Sequence, residues 1–268
     1  MRAGARAALG AFGIFVVACI EGEKPTAPSA PQIVVHAVLD MGSRDQLVLV
    51  ERTRSGIRTS LTNFVGGAEP VLDAEVTITT PNGEVLTAAL EQPADSFAPR
   101  RGLYRLALDR YGATLVPGGT YSLLVRVPAA VEITGTTTLP VATSVAPAAA
   151  EPFDWERDSL RLTWPHVEGA AGYEVRIAML DAHFETFADS SFAIAVHGST
   201  FFDEPLFVPG LTTTVAVTAV DRNYYEYYRA LSDPFAGAAP SRLRGGYGVF
   251  GSLVPLAIRT LNVRRAGE

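Results

Sequence analysis

The stretch Asp73-Ala-Glu-Val-Thr-Ile-Thr79, closed by Pro81-Asn82-Gly83, decides the fold. Ala74, Val76 and Ile78 alternate with Glu75, Thr77 and Thr79, the period of two that gives a strand one buried and one wet face. Asn82 and Gly83 tolerate the positive φ of a two-residue hairpin, so the chain should turn straight back into a second strand, Val85 to Leu90. Runs of the same kind lie outward on both sides, at Ile33 to Leu39, Leu47 to Arg52, Tyr104 to Leu108, Tyr121 to Val127 and Ile133 to Leu139. Short strands separated by Gly, Pro and Asn turns predict an all-β fold, with a first β-sandwich over residues 32–140.

Pro140 to Pro152 is rich in Ala and Pro and has no periodicity, which marks residues 141–152 as a linker. Beyond it, Leu160, Leu162 and Trp164 alternate with Arg161 and Thr163, and a second sandwich is expected over 153–268, with Trp164 and Tyr173 as core aromatics. Asp181 to Phe192 shows no alternation and reads as a helical turn or an elaborated loop, where Asp181, Glu185 and Asp189 would form a solvated acidic face. The run Asn223-Tyr-Tyr-Glu-Tyr-Tyr-Arg-Ala-Leu231 reads as a short helix, with Asn223 as cap, Glu226 reaching back to it and Ser232-Asp233-Pro234 as the stop. Four tyrosines in five residues cannot share one helix face. Tyr224, Tyr227 and Tyr228 should pack on the second sandwich, and Tyr225 should point elsewhere. Gly245-Gly-Tyr-Gly-Val-Phe-Gly-Ser252 is expected as the closing strand.

The other end of the chain carries Arg2 and Arg6 ahead of the apolar run Ala7 to Val17, the pattern of a secretory signal and too short to span a bilayer. The sole cysteine, Cys19, follows directly in Val16-Val-Ala-Cys19. Residues 1–18 would be removed and 19–31, with Pro25, Pro28 and Pro31, would form an extended stalk. Of 22 Lys and Arg against 28 Asp and Glu, the removed segment holds two arginines and no acid, so the mature charge would be −8. A net-negative surface does not suit nucleic acid, which is bound through clustered Lys and Arg. With a single cysteine the chain can close no internal disulfide, so apolar cores must supply stability.

Val16-Val-Ala-Cys19 resembles a bacterial lipobox, with Val16 where Leu is usual, which implies acylation at Cys19. Pro70 to Ile78, Gly102-Leu-Tyr-Arg-Leu106 and Gly118-Gly-Thr-Tyr-Ser-Leu123 resemble prealbumin-like or carboxypeptidase-regulatory-like sandwiches. Gly169-Ala-Ala-Gly-Tyr-Glu-Val-Arg-Ile177 resembles the B to C region of a fibronectin type III module, and Leu211 to Asp221 its F strand, with Thr213 where a tyrosine is usual. Together with the tyrosine helix and the glycine-rich aromatic strand, this order resembles the lipoproteins catalogued as domain of unknown function 4249. The resemblance implies a non-enzymatic, lipid-anchored outer-membrane protein of Gram-negative bacteria, accessory to a TonB-dependent receptor by capturing ligand or steadying the receptor. The alternative is an adhesin-like module that binds glycan or peptide. In either case Tyr224, Tyr225, Tyr227 and Tyr228 are the candidate partner contacts.

Catalytic patterns are not found: there is no Gly-x-Ser-x-Gly elbow, Walker loop or His-Glu-x-x-His helix, and no cofactor or metal is expected. His36, His166, His183 and His197 are far apart in sequence. A metal site from His183 and His197, or a nucleophile at Ser199 beside His197, is the weaker reading.

Overall fold

The computed structural model describes residues 31–53, 68–92, 101–128, 132–145, 149–156, 158–179, 182–195, 200–201, 204–233 and 235–265. The first sandwich is built from β1 (Ile33–Asp40), β2 (Asp45–Thr53), β3 (Ala68–Pro70), β4 (Glu75–Thr79), β5 (Val85–Leu90), β6 (Leu103–Ala107), β7 (Thr120–Arg126) and β8 (Ile133–Thr138). The second contains β9 (Glu151–Asp154), β10 (Ser159–Thr163), β11 (Gly172–Met179), β12 (Ala182–Ala188), β13 (Ser191–Ala195), β14 (Thr200–Phe201), β15 (Glu204–Pro205) and β16 (Thr212–Val220). Helix α1 (Arg222–Ser232) and the 18-residue strand β17 (Tyr247–Arg264) follow. The expected all-β, two-sandwich class is what the chain adopts.

One sheet path runs through both halves, in the order β12-β11-β16-β17-β1-β2-β6-β5-β4-β7-β8. In the first half the sheet folds over at β5, and Val35, Val50, Val76, Ile78, Leu86, Leu106, Leu123 and Ile133 meet in the core between its layers. Tyr104 and Tyr121 reach out of that core to hold loops. The Tyr104 hydroxyl donates to the Val71 carbonyl (3.0 Å) and accepts from Ala74 N (2.9 Å), while that of Tyr121 accepts from Val116 N (2.8 Å). The hairpin is present, but its loop has three residues and not two: Thr80 N donates to Glu84 O (2.9 Å) across Pro81-Asn82-Gly83, with Gly83 at φ 87°.

In the second half Trp164 and Tyr173 are core aromatics, 5.4 Å apart between centroids, with Leu160, Val175, Val217 and Leu261 around them. The stretch from 182 onward is not helical. Residues Ala182–Ala188 pair with β11 and Ser191–Ala195 with β10, so Glu185 and Asp189 do not line a helix face.

Strand β17 joins the halves. Its first part lies parallel to β1, from Val34↔Tyr247 to Asp40↔Leu253, and its remainder lies antiparallel to β16 out to Thr212↔Asn262. Residues 247–253, placed by sequence in the second sandwich, thus complete the first. The stretch expected as a free linker is tied down as well, because Val141 N donates to Glu168 O (2.8 Å) and Val145 N to Pro255 O (3.2 Å).

Candidate functional site

Helix α1 lies across the junction of the two sandwiches. Its cap is Asp221, in extended conformation directly after β16, whose carboxylate accepts from Tyr224 N at 2.9 Å. The capping box expected from Asn223 and Glu226 does not form. Asn223 is already inside the helix, and its amide donates to Thr136 O (2.7 Å) and Phe250 O (2.8 Å). Glu226 turns instead to Arg242, accepting at 2.6 and 3.0 Å.

Asp221 also binds the two sandwiches together. Its Oδ1 accepts a second bond from Ser252 N (3.0 Å), and its Oδ2 accepts from the Thr137 hydroxyl (2.8 Å). Thr137 Oγ1 is 3.0 Å from Ser252 Oγ, which donates to Thr138 O. Strand β8 of the first sandwich, the shared strand and the cap of the helix are therefore one hydrogen-bonded unit. All three side chains are buried. Burial pushes the Asp221 carboxyl above its ordinary value, and the bonds it accepts oppose that rise. Ser252 is fully enclosed, and its hydroxyl donates to Thr138 O, so the trio acts as a structural lock between the two sandwiches.

The tyrosines divide between the two sandwiches. Tyr227 packs edge-on against His36 of the first (centroids 5.5 Å) and beside Tyr247 (6.3 Å). Burial lowers the His36 pKa to about 4, which keeps the imidazole neutral at physiological pH. Tyr224 packs against Tyr228, with ring centroids 4.4 Å apart and the planes tilted by 38°, and hydrogen-bonds the buried carboxylate of Glu174 on β11. Burial raises Glu174, and the bond from Tyr224 works against it. Burial likewise raises all three phenols, with Tyr228 pushed up to about 12.

Tyr225 does not point away, as the helical wheel suggested. It lies over Gly172, where an added Cβ would sit 2.5 Å from its ring, and edge-on to Phe187 at 5.3 Å. Arg229 covers it, with the guanidinium 5.4 Å from the ring centroid and a hydrogen bond to its hydroxyl. Of the four candidate contacts, Tyr224 and Tyr227 are interior, at 7% and 2% exposure, and only Tyr225 and Tyr228 keep part of their surface. The demand for packing at the junction accounts for this tyrosine density.

Cys19, Asp181, His197 and Ser199 lie outside the described residues. His183 is exposed and sits 3.9 Å from Glu185, and no group of three or more metal-ligating side chains occurs among the described residues. An open polar cleft lies between Arg52 and the Glu69 to Asp73 segment. The basic residue Arg259 at the far end of β17 pairs with Glu151.

Fold and junction define a two-sandwich all-β chain in which a tyrosine-rich helix clamps the shared strand. No protein-family model and no curated protein matches it. Among solved structures it is similar to a two-domain fibronectin type III segment of chicken tenascin, at 14% identity over 73% of this chain and 92% of that one, with a TM-score of 0.20. Chicken CNTN1 domains FN1–FN3 give 13% identity over 90% and 68%, with a TM-score of 0.23.

Proposed function

We propose that the protein is a non-enzymatic lipoprotein, held on the outer membrane through acylated Cys19, that serves a TonB-dependent receptor as an accessory subunit. The observation that carries this reading is the junction. A continuous sheet, a buried Asp221–Thr137–Ser252 lock and an aromatic clamp make one stiff body from two sandwiches. Such a body suits steadying or presenting, whereas hinged catalytic domains need a cleft that opens. The signal-like segment before Cys19 supplies the address.

Two measurements test it. Wild type should partition with membranes and Cys19→Ser should be soluble, since several acyl chains at ~0.8 kcal/mol per buried methylene hold the protein firmly. Affinity capture of the anchored protein should also retain a TonB-dependent receptor. Capture of glycan or peptide with no receptor, lost in Tyr225→Ala, would favour the adhesin-like alternative.

A further inference from the structure

The segment after α1 makes an exposed apolar tip. Phe235 is 95% exposed, the largest exposure among the exposed large apolar side chains described, and Ala236, Gly237 and Ala238 beside it are exposed too. The turn is organised. Phe235 N donates to Asp233 Oδ1 (2.9 Å) and Ala236 N to Asp233 O (3.1 Å), after which Ala239 is buried and accepts from the Tyr247 hydroxyl. A large aromatic held fully in water by a built turn costs hydrophobic free energy unless something covers it.

Its place in the fold says what that is. Helix α1 runs antiparallel to β17, starting at Ser252 through Asp221, passing His36 and Val249 at Tyr227, and bringing Leu231 beside Tyr247. Tyr247 is paired with Val34, so the helix delivers Phe235 to the end of the molecule where the chain comes into β1 at Gln32. The 12 residues from Ile20 to Pro31 are all that separate that end from Cys19. They can span no more than about 40 Å when extended, and roughly 20 Å as a coil. Charge agrees. Arg229 in the last turn of α1 and Arg244, bridged to Thr134 next to the Gly246–Ile33 contact, stand towards that end against Asp233, whereas Arg222 lies at the other end of the helix and pairs, like Arg242, with Glu226.

We infer that the Phe235 turn is a lipid-contacting tip, which seats the protein on an anionic bilayer surface with its aromatic ring in the headgroup–acyl boundary and the arginines among the phosphates. The inference rests on the anchoring at Cys19. Full-length protein is purified from membranes, its acylation read by fatty-acid labelling, and reconstituted into vesicles of phosphatidylethanolamine and phosphatidylglycerol with and without brominated chains. Phe235→Trp should be quenched at least about twofold by the brominated lipid, as befits a ring at that depth. Val85→Trp, exposed beside the 81–84 turn at the opposite end, should not be quenched beyond wild type, whose Trp155 and Trp164 lie in the second sandwich. A labelled protein in which Phe235→Trp is quenched no more than Val85→Trp overturns the tip and leaves the anchor standing. A Phe235→Trp emission that is blue-shifted yet unquenched means a protein partner covers the ring, and also overturns it. Absence of label on Cys19 refutes the anchor and the tip together.

Discussion

Replacing Asp221 by alanine or by asparagine should give sharply different results. In Asp221→Ala the Tyr224 and Ser252 amides lose their acceptor in a buried site. The lost cap costs ~0.5–2 kcal/mol, and the orphaned Ser252 N–H a further ~1–3 kcal/mol. Thr137 is not orphaned, because its proton can turn to Ser252 Oγ at 3.0 Å while Ser252 donates to Thr138 O. The total is about 1.5–5 kcal/mol, which for a chain of this size lowers Tm by roughly 3–20 °C. In Asp221→Asn the carbonyl oxygen keeps both amides, and the new N–H₂ donates to Thr137, which donates to Ser252, which donates to Thr138 O. One of the two new amide protons and both hydroxyl protons in that chain have acceptors. Burial already disfavours the Asp221 charge, so asparagine should match wild type within about 1 kcal/mol at pH 7. Urea titration and thermal melts of both variants in a Cys19→Ser background read the difference. Equal destabilisation by alanine and asparagine would refute this account of the network.

Four other outcomes follow from the same structure. Tyr227→Ala, which empties the space between His36, Tyr228 and Tyr247, should cost ~3–5 kcal/mol by urea titration. Gly248→Ala should prevent folding as read by circular dichroism, because at φ 118° its Cβ would lie 2.0 Å from Val35 O. Gly83→Ala, at φ 87° with open space around it, should cost only ~1 kcal/mol. Glu174 binds its proton more tightly when folded than when unfolded, so stability falls as pH rises from the ordinary carboxylate range through its raised folded value, then levels off. Glu174→Gln keeps an acceptor for Tyr224 and should make that fall smaller, with no advantage over wild type at low pH. Asp221, Asp40 and Glu51 are raised by burial too and carry the remainder. Stability measured from pH 3 to 8 checks the sign.

The strands of the first sandwich were legible because their alternation and turn residues agree, as in Val76 and Ile78 before Gly83. What failed in the second half failed for physical reasons. Strand β12 carries aromatics on both faces, Phe184 towards the core and Phe187 towards Tyr224 and Tyr225, so no period of two shows. The far half of β17 was hidden by Pro255, which a strand tolerates here through a register shift opposite Val217 and Thr218. The true cap was missed because β16 passes into α1 with only Asp221 between them, while Asn223 and Glu226 copied a capping box. The helical wheel misplaced Tyr225, which packs on Gly172 and Phe187, and Tyr227, which packs on His36, because two sandwiches, not one, surround the helix. Gly172 was the available signal, since only a residue without a side chain lets Tyr225 lie so close.

The pairing of β1 with β17 also governs when the protein can fold. Val34 must wait for Tyr247, about 210 residues later, before its strand has a neighbour on that side. A chain that emerges N-terminus first, from a ribosome or through a translocation channel, therefore holds β1 as an open edge until nearly all of it is out. Residues 32–140 alone lack that strand and present Val34 to Asp40 to any other extended segment, including the same segment of a second nascent chain. Folding is in this sense closed from the C-terminal side, and the half-emerged chain carries an unpaired edge open to aggregation for most of its synthesis.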